Sequence, residues 1–163
     1  MKSKTLLILT VLTLALAAAA QKPSLVGYRH KGVVYGERLP NGARDLGGSL
    51  LEDDEYGVTR YELNGRHYLW LEKIVDRDGE GVPSWIVRDV LALGRLRKNQ
   101  EILFGLGSIC TRNRRADQSL IVLAERSKNR KSYKISNVWR ASAEREKFEK
   151  ASVKGVRCEV AEP

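Results

Sequence analysis

The chain has 163 residues, 42% hydrophobic and 30% charged, with 29 Lys or Arg against 20 Asp or Glu and a formal net charge of +9. That is a globular composition, and 14 Gly with 4 Pro exclude collagen-like or broadly disordered material. Two Cys and two distant His assemble no zinc site.

Lys2 and Lys4, the uncharged apolar stretch Thr5 to Leu16, and the small residues Ala17 to Ala20 have the three-part layout of a secretory signal. The stretch from Thr5 to Ala20 is shorter than the ~20 residues a helix needs to cross a bilayer. Residues 1–20 are therefore expected to be a cleaved signal, with Ala18 and Ala20 fitting the peptidase pocket and Gln21 as the new terminus. No Cys follows the cut, which disfavours a lipid anchor, and no later stretch is apolar enough to span a membrane. Residues 21–163 are then expected to be one β-rich domain, irregular over 21–55 and strand-rich over 56–160. It should be secreted or periplasmic and not membrane-spanning after cleavage.

In chain order, Tyr28 to Tyr35 reads as an early strand broken by Gly32, and Gly36 to Gly48 as an irregular loop with a tight turn. Glu52-Asp53-Asp54-Glu55 reads as a solvated turn rather than a calcium loop. Asn64-Gly65 is the strongest local signal, because Asn-Gly tolerates the two positive φ angles of a type I′ turn. The hairpin it implies sets Tyr61 opposite Tyr68 and Thr59 opposite Trp70. A second hairpin should close over Asp76 to Gly81. Its Asp-x-Asp-Gly pattern has Val87 where a calcium loop needs Glu. Trp85, Val87, Leu91 and Leu93 alternate as on a strand, with Asp89 on their face, although a helix capped by Ser84 competes. Ile102, Phe104, Leu106 and Cys110 are expected on one face. Leu120 to Ala124 is continuously apolar, as in a strand covered on both sides. Tyr133, Ile135, Trp139 and Ala141 share a face, and over 142–152 a helix competes with a turn and strand. The fold expected is mainly β, an antiparallel meander or partly open barrel or sandwich with short helices allowed, held by one disulfide.

That disulfide joins Cys110 and Cys158, since a pair of exported thiols is normally bridged. Closing a loop of about 49 residues stabilises by ~4 kcal/mol in the chain-entropy account. Strand ends on opposite sides of a sheet cannot be bridged. The chain should therefore reverse near Lys154-Gly155 and bring Cys158 back along Val156 to Val160, unless a helix over 142–152 resets its direction.

Trp139-Arg140-Ala141, Phe148 and Gly155-Val156-Arg157-Cys158, with Leu39-Pro40-Asn41-Gly42 and Asp45-Leu46-Gly47-Gly48, resemble small exported bacterial proteins to which no function is assigned. The resemblance implies no activity, ligand or site residue.

No nucleophile elbow, phosphate-cradling loop, His-Glu-x-x-His or dinucleotide fingerprint is present. No catalytic residue, metal ligand or cofactor is assigned. His30 and His67 are the only imidazoles, and His67 beside a turn reads as a surface residue. Charge is the best functional clue. Residues 94–163 carry 17 basic and 8 acidic side chains, against 10 and 12 over residues 21–93. The surplus falls in three turn-sized clusters: Arg95, Arg97 and Lys98; Arg112, Arg114 and Arg115; and Lys128, Arg130 and Lys131. Meander turns alternate between sheet ends, so the first and third clusters should share one basic rim and form the candidate ligand-binding set. The function expected is an exported non-enzymatic binding or inhibitor-like domain whose partner is an anionic envelope polymer or an envelope protein. Nucleic acid is the weakest partner, for want of a stacking platform. The alternatives are an envelope hydrolase using Asp89 as a cleft acid and a structural envelope protein.

Overall fold

The computed structural model of the chain describes residues 25–32, 35–39, 41–105, 108–127 and 133–160. The expected signal segment lies outside these residues, as do Leu106, Lys128, Arg130 and Lys131. Among the described residues there are strands and turns and no α-helix. In chain order the strands are β1 Arg29–Lys31, β2 Arg44–Leu50, β3 Tyr56–Leu63, β4 Arg66–Arg77, β5 Pro83–Gly94 and β6 Gln100–Leu103. They continue with β7 Ser108–Arg112, β8 Arg115–Ala116, β9 Leu120–Arg126, β10 Tyr133–Ser142, β11 Lys147–Ala151 and β12 Val156–Val160.

The strands form three antiparallel sheets, ordered β1-β5-β4-β3-β2, β11-β10-β9-β6 and β12-β7-β8. The five-stranded sheet curls into a half-barrel. His30 on β1 reaches within 6.4 Å of the Tyr61 ring on β3 although two strands separate them in the sheet. The segment after β1 nearly closes the curl, with Gly36 N donating to Asp45 O and Asp45 N donating to Glu37 O, both at 2.9 Å. Inside the curl pack Leu39, Ala43, Tyr61, Trp70 and Val87. Its outer face buries Val58, Leu69 and Leu71 against Ile102, Ile121, Leu123 and Ala141 of the four-stranded sheet. The far face of that sheet packs Leu120, Val122 and Val138 under Cys110 and Val156 of the third sheet. Strand β9 thus faces two cores, which is why Leu120 to Ala124 is apolar throughout.

The Asn64-Gly65 hairpin forms with Tyr61 opposite Tyr68 and Thr59 opposite Trp70, and φ is 53° and 71° at the turn. The next hairpin closes between Arg77 and Pro83, with Asp78 Oδ1 accepting the backbone N–H groups of Glu80 and Val82. Residues 85–93 are strand, and 142–152 is a turn followed by β11, not a helix. The disulfide is formed. Gly155 has φ 78°, and β12 returns antiparallel to β7 with Cys158 directly opposite Cys110, Cα atoms 4.1 Å apart.

Three expectations about faces are corrected, and the cause is an interrupted strand each time. In β5 the register slips at Arg88, so Val87 packs inside the half-barrel while Leu91 and Leu93 pack outside it. In β10 it slips at Ser136, sending Ile135 and Trp139 to opposite faces. An extra residue inverts the in-out alternation beyond it. Ile102 and Cys110 likewise lie in separate cores, because β6 ends at Leu103 and a new strand begins. The stretch read as a loop to Gly48 is already strand from Arg44, with a bulge between Asp45 and Gly48.

Candidate functional site

Arg95, Arg97 and Lys98 lie exposed on the connection from β5 to β6. Arg97 N donates to Gln100 Oε1 at 3.0 Å, and Arg126 N donates to Asn99 O at 2.9 Å, which ties this connection to the end of β9. Arg97 is ion-paired with Glu125, and the neighbouring Arg126 with Glu101 at 2.7 Å while it also donates to Tyr133 Oη. Arg95 and Lys98 have no carboxylate partner among the described residues. Lys128, Arg130 and Lys131 fall between β9 and β10, outside the described residues. The strand ends flanking them, Arg126 and Tyr133, oppose each other beside the first cluster.

Arg112, Arg114 and Arg115 surround the two-residue turn from β7 to β8. Asp117, which follows, donates its N–H to Cys110 O and accepts Arg140 at 2.5 Å, where β9 begins. The first and second clusters therefore lie toward opposite ends of β9.

Asp89 is not free in a cleft. Its Oδ1 accepts Val90 N at 2.8 Å and its Oδ2 accepts Phe148 N at 2.7 Å, so the carboxylate fastens β11 to β5. The arginine paired with an acid here is Arg88, which bonds Glu146.

The mouth of the half-barrel holds a constellation that sequence reasoning missed. His30, Asp45, Tyr61 and Glu72 converge on a cavity of about 290 Å³ walled by Tyr35 and Trp85. Glu72 is 1% exposed and Asp45 6%. His30 Nδ1 lies 2.8 Å from Lys31 O and Nε2 lies 2.7 Å from Glu72 Oε1. Both ring nitrogens face oxygen acceptors, so the pair holds a proton between imidazole and carboxylate. Burial works to lower the His30 pKa, but the hydrogen bond and charge of Glu72, the Lys31 carbonyl and the charge of Asp45 outweigh it and hold it above the ordinary value. Burial pushes Asp45 up, against the Gly47 N–H and the His30 charge. Burial and the two carboxylates also raise the Tyr61 hydroxyl. Its traces in the sequence are His30, one of the two imidazoles, and the charge that ends the apolar run Leu69-Trp70-Leu71-Glu72. Such a pocket can accept hydrogen bonds from a small polar molecule and exchange a proton with it.

Among the described residues no group of three or more His, Cys, Asp or Glu is placed to hold a metal ion, and no helix is long and apolar enough to cross a membrane. The disulfide is compatible with an oxidising location outside the cytoplasm. The chain matches no protein-family model, no curated protein and no solved structure.

Proposed function

We propose that the protein is a secreted or periplasmic, non-enzymatic binding or inhibitor-like module whose basic ends engage an anionic polymer or protein of the envelope. The observation that carries this reading is the pattern of ion pairing. Glu101, Asp117, Glu125, Glu146 and Glu149 are taken up by Arg126, Arg140, Arg97, Arg88 and Arg145. The cationic surplus remains on exposed side chains without a carboxylate partner among the described residues, Arg95, Lys98, Arg114, Arg115 and Lys154 among them. A surplus displayed at turns attracts polyanions through charge that salt screens. Asp89 gives the hydrolase alternative little support, since backbone N–H groups occupy both of its oxygens.

The test is retention of envelope fractions by the immobilised mature protein and by a variant carrying R95Q, R97Q, K98Q, K128Q, R130Q and K131Q. Retention should fall steeply with added salt and be weaker for the variant. Retention indifferent to both would overturn the reading.

A further inference from the structure

The turn at Asn113-Arg114 repeats the Asn64-Gly65 turn in backbone and departs from it in sequence. Asn64 and Gly65 have φ 53° and 71°, and Asn113 and Arg114 have 52° and 67°. Each is a two-residue loop joining paired strand ends, Leu63 to Arg66 in one and Arg112 to Arg115 in the other. Glycine takes the second positive φ without steric penalty, whereas arginine presses its Cβ against the backbone. This chain therefore uses the favourable residue at one such turn and an arginine at the other.

A second unfavourable choice lies beside the first. Arg112 and Arg115 stand directly opposite each other, and like charges in that relation repel. Lys154 belongs to the adjoining turn, tied on by Asn113 N donating to Gly155 O and an Arg112 terminal nitrogen donating to Ser152 O, each at 2.9 Å. Arg112, Asn113, Arg115, Ala116 and Asp117 line an open hollow of about 560 Å³. Its carboxylate, Asp117, does not neutralise them. Its oxygens accept Arg140 and Ser119 Oγ, each at 2.5 Å. Arg112 Nε is buried without an acceptor among the described residues. Four cations thus stand on two joined turns, in a local arrangement that costs folding energy and that a bound anion would relieve.

We propose that this tip binds successive phosphate groups of a linear polyanion through Arg112, Arg114, Arg115 and Lys154. The inference rests on the anion-binding reading above and moves its main contact from the first basic cluster to the second. Guanidinium forks donate two parallel hydrogen bonds to phosphate oxygens, and clustered cations suit a ligand that repeats its charge. Of the large exposed hydrophobic residues only Val153 belongs to these turns, too little apolar area to seat the tip in a bilayer.

The experiment titrates the mature protein with long-chain inorganic polyphosphate, orthophosphate and phosphatidylglycerol vesicles, beside R114G, K154Q and the double variant R95Q/K98Q. The wild-type protein should bind polyphosphate with an affinity that salt lowers, and orthophosphate far more weakly. R114G and K154Q should each lose about fivefold, the size expected for one exposed cation against a polyanion. R114G should melt at the same temperature or higher, because glycine suits the turn. A lower melting temperature for R114G would mean that Arg114 serves folding, and would overturn the inference. Unchanged affinity in R114G, or vesicle binding without polyphosphate binding, would overturn it too. Loss confined to R95Q/K98Q would refute this tip while leaving the anion-binding reading intact. Failure of the wild-type protein to bind polyphosphate, vesicles and envelope fractions alike would end both.

Discussion

His30 has a side chain only 5% exposed, and its two ring nitrogens meet an oxygen each. A pKa raised in the folded state means that folding favours the protonated imidazole. That stabilisation is complete below the unfolded value of about 6.5 and is lost as pH rises through the higher folded value. Asp45 acts in the same sense, because burial raises its pKa and its ionisation above about pH 3.9 penalises the folded state. This pair and Asp45 therefore act to lower Tm as pH rises toward and through the neutral range, read in thermal melts at increasing pH. Replacing the partner by Glu72→Gln keeps the shape but removes the charge that holds the proton on His30. It should cost about 1–3 kcal/mol at acidic pH and flatten the dependence. Burial and the Arg60 charge lower the His67 pKa, which acts in the opposite sense, so the comparison of the two proteins is decisive: a pH slope left unchanged by Glu72→Gln would contradict the assignment of the proton to this pair.

Strand pairing carries two further expectations. Cys110 and Cys158 are a directly opposed pair in β7 and β12, so the cross-link needs no displacement of either strand. Non-reducing peptide mapping should recover one linked fragment, and free-thiol labelling should be near zero. The C110S/C158S protein should lose about 4 kcal/mol on the loop-entropy account, and an unchanged denaturation midpoint would remove the staple from the stability. Asp89 fastens β11 to β5 through the Phe148 N–H. Asp89→Ala leaves that donor unsatisfied and should cost about 1–3 kcal/mol, read as a lower urea midpoint with an unchanged slope. These elements are largely legible in the sequence. Asn64-Gly65, Asp76 to Gly81 and Lys154-Gly155 each announce a reversal through residues that tolerate the turn, and the strands between them follow. What could not be read was which side each strand presents beyond Arg88 and Ser136. A bulge inserts a residue without altering the apolar count, and nothing local in the sequence marks it. The cavity was hidden for a related reason. Its His30, Asp45 and Glu72 come from β1, β2 and β4, and only the curl of the whole sheet unites them.

Across the molecule, packing runs from the interior of the half-barrel, through the shared core, to the disulfide-bearing sheet. The middle layer joins the two larger sheets. Leu69 and Leu71 are fully buried there, and Leu69→Ala should cost about 2–5 kcal/mol in chemical denaturation. A loss below about 1 kcal/mol would mean that the two sheets do not depend on one another for stability. The three layers also differ in how much chain must exist before each can close. Every member of the Trp70 cluster lies between Leu25 and Val90, whereas the cluster under the disulfide is incomplete without Val156 and Cys158. As the chain is delivered to an oxidising compartment N-terminus first, then, the half-barrel's filling is all present while β6 to β12 are still arriving. The outer cover of the second sheet waits for the last strand, and oxidants reaching Cys110 before Cys158 has emerged meet a thiol with no partner.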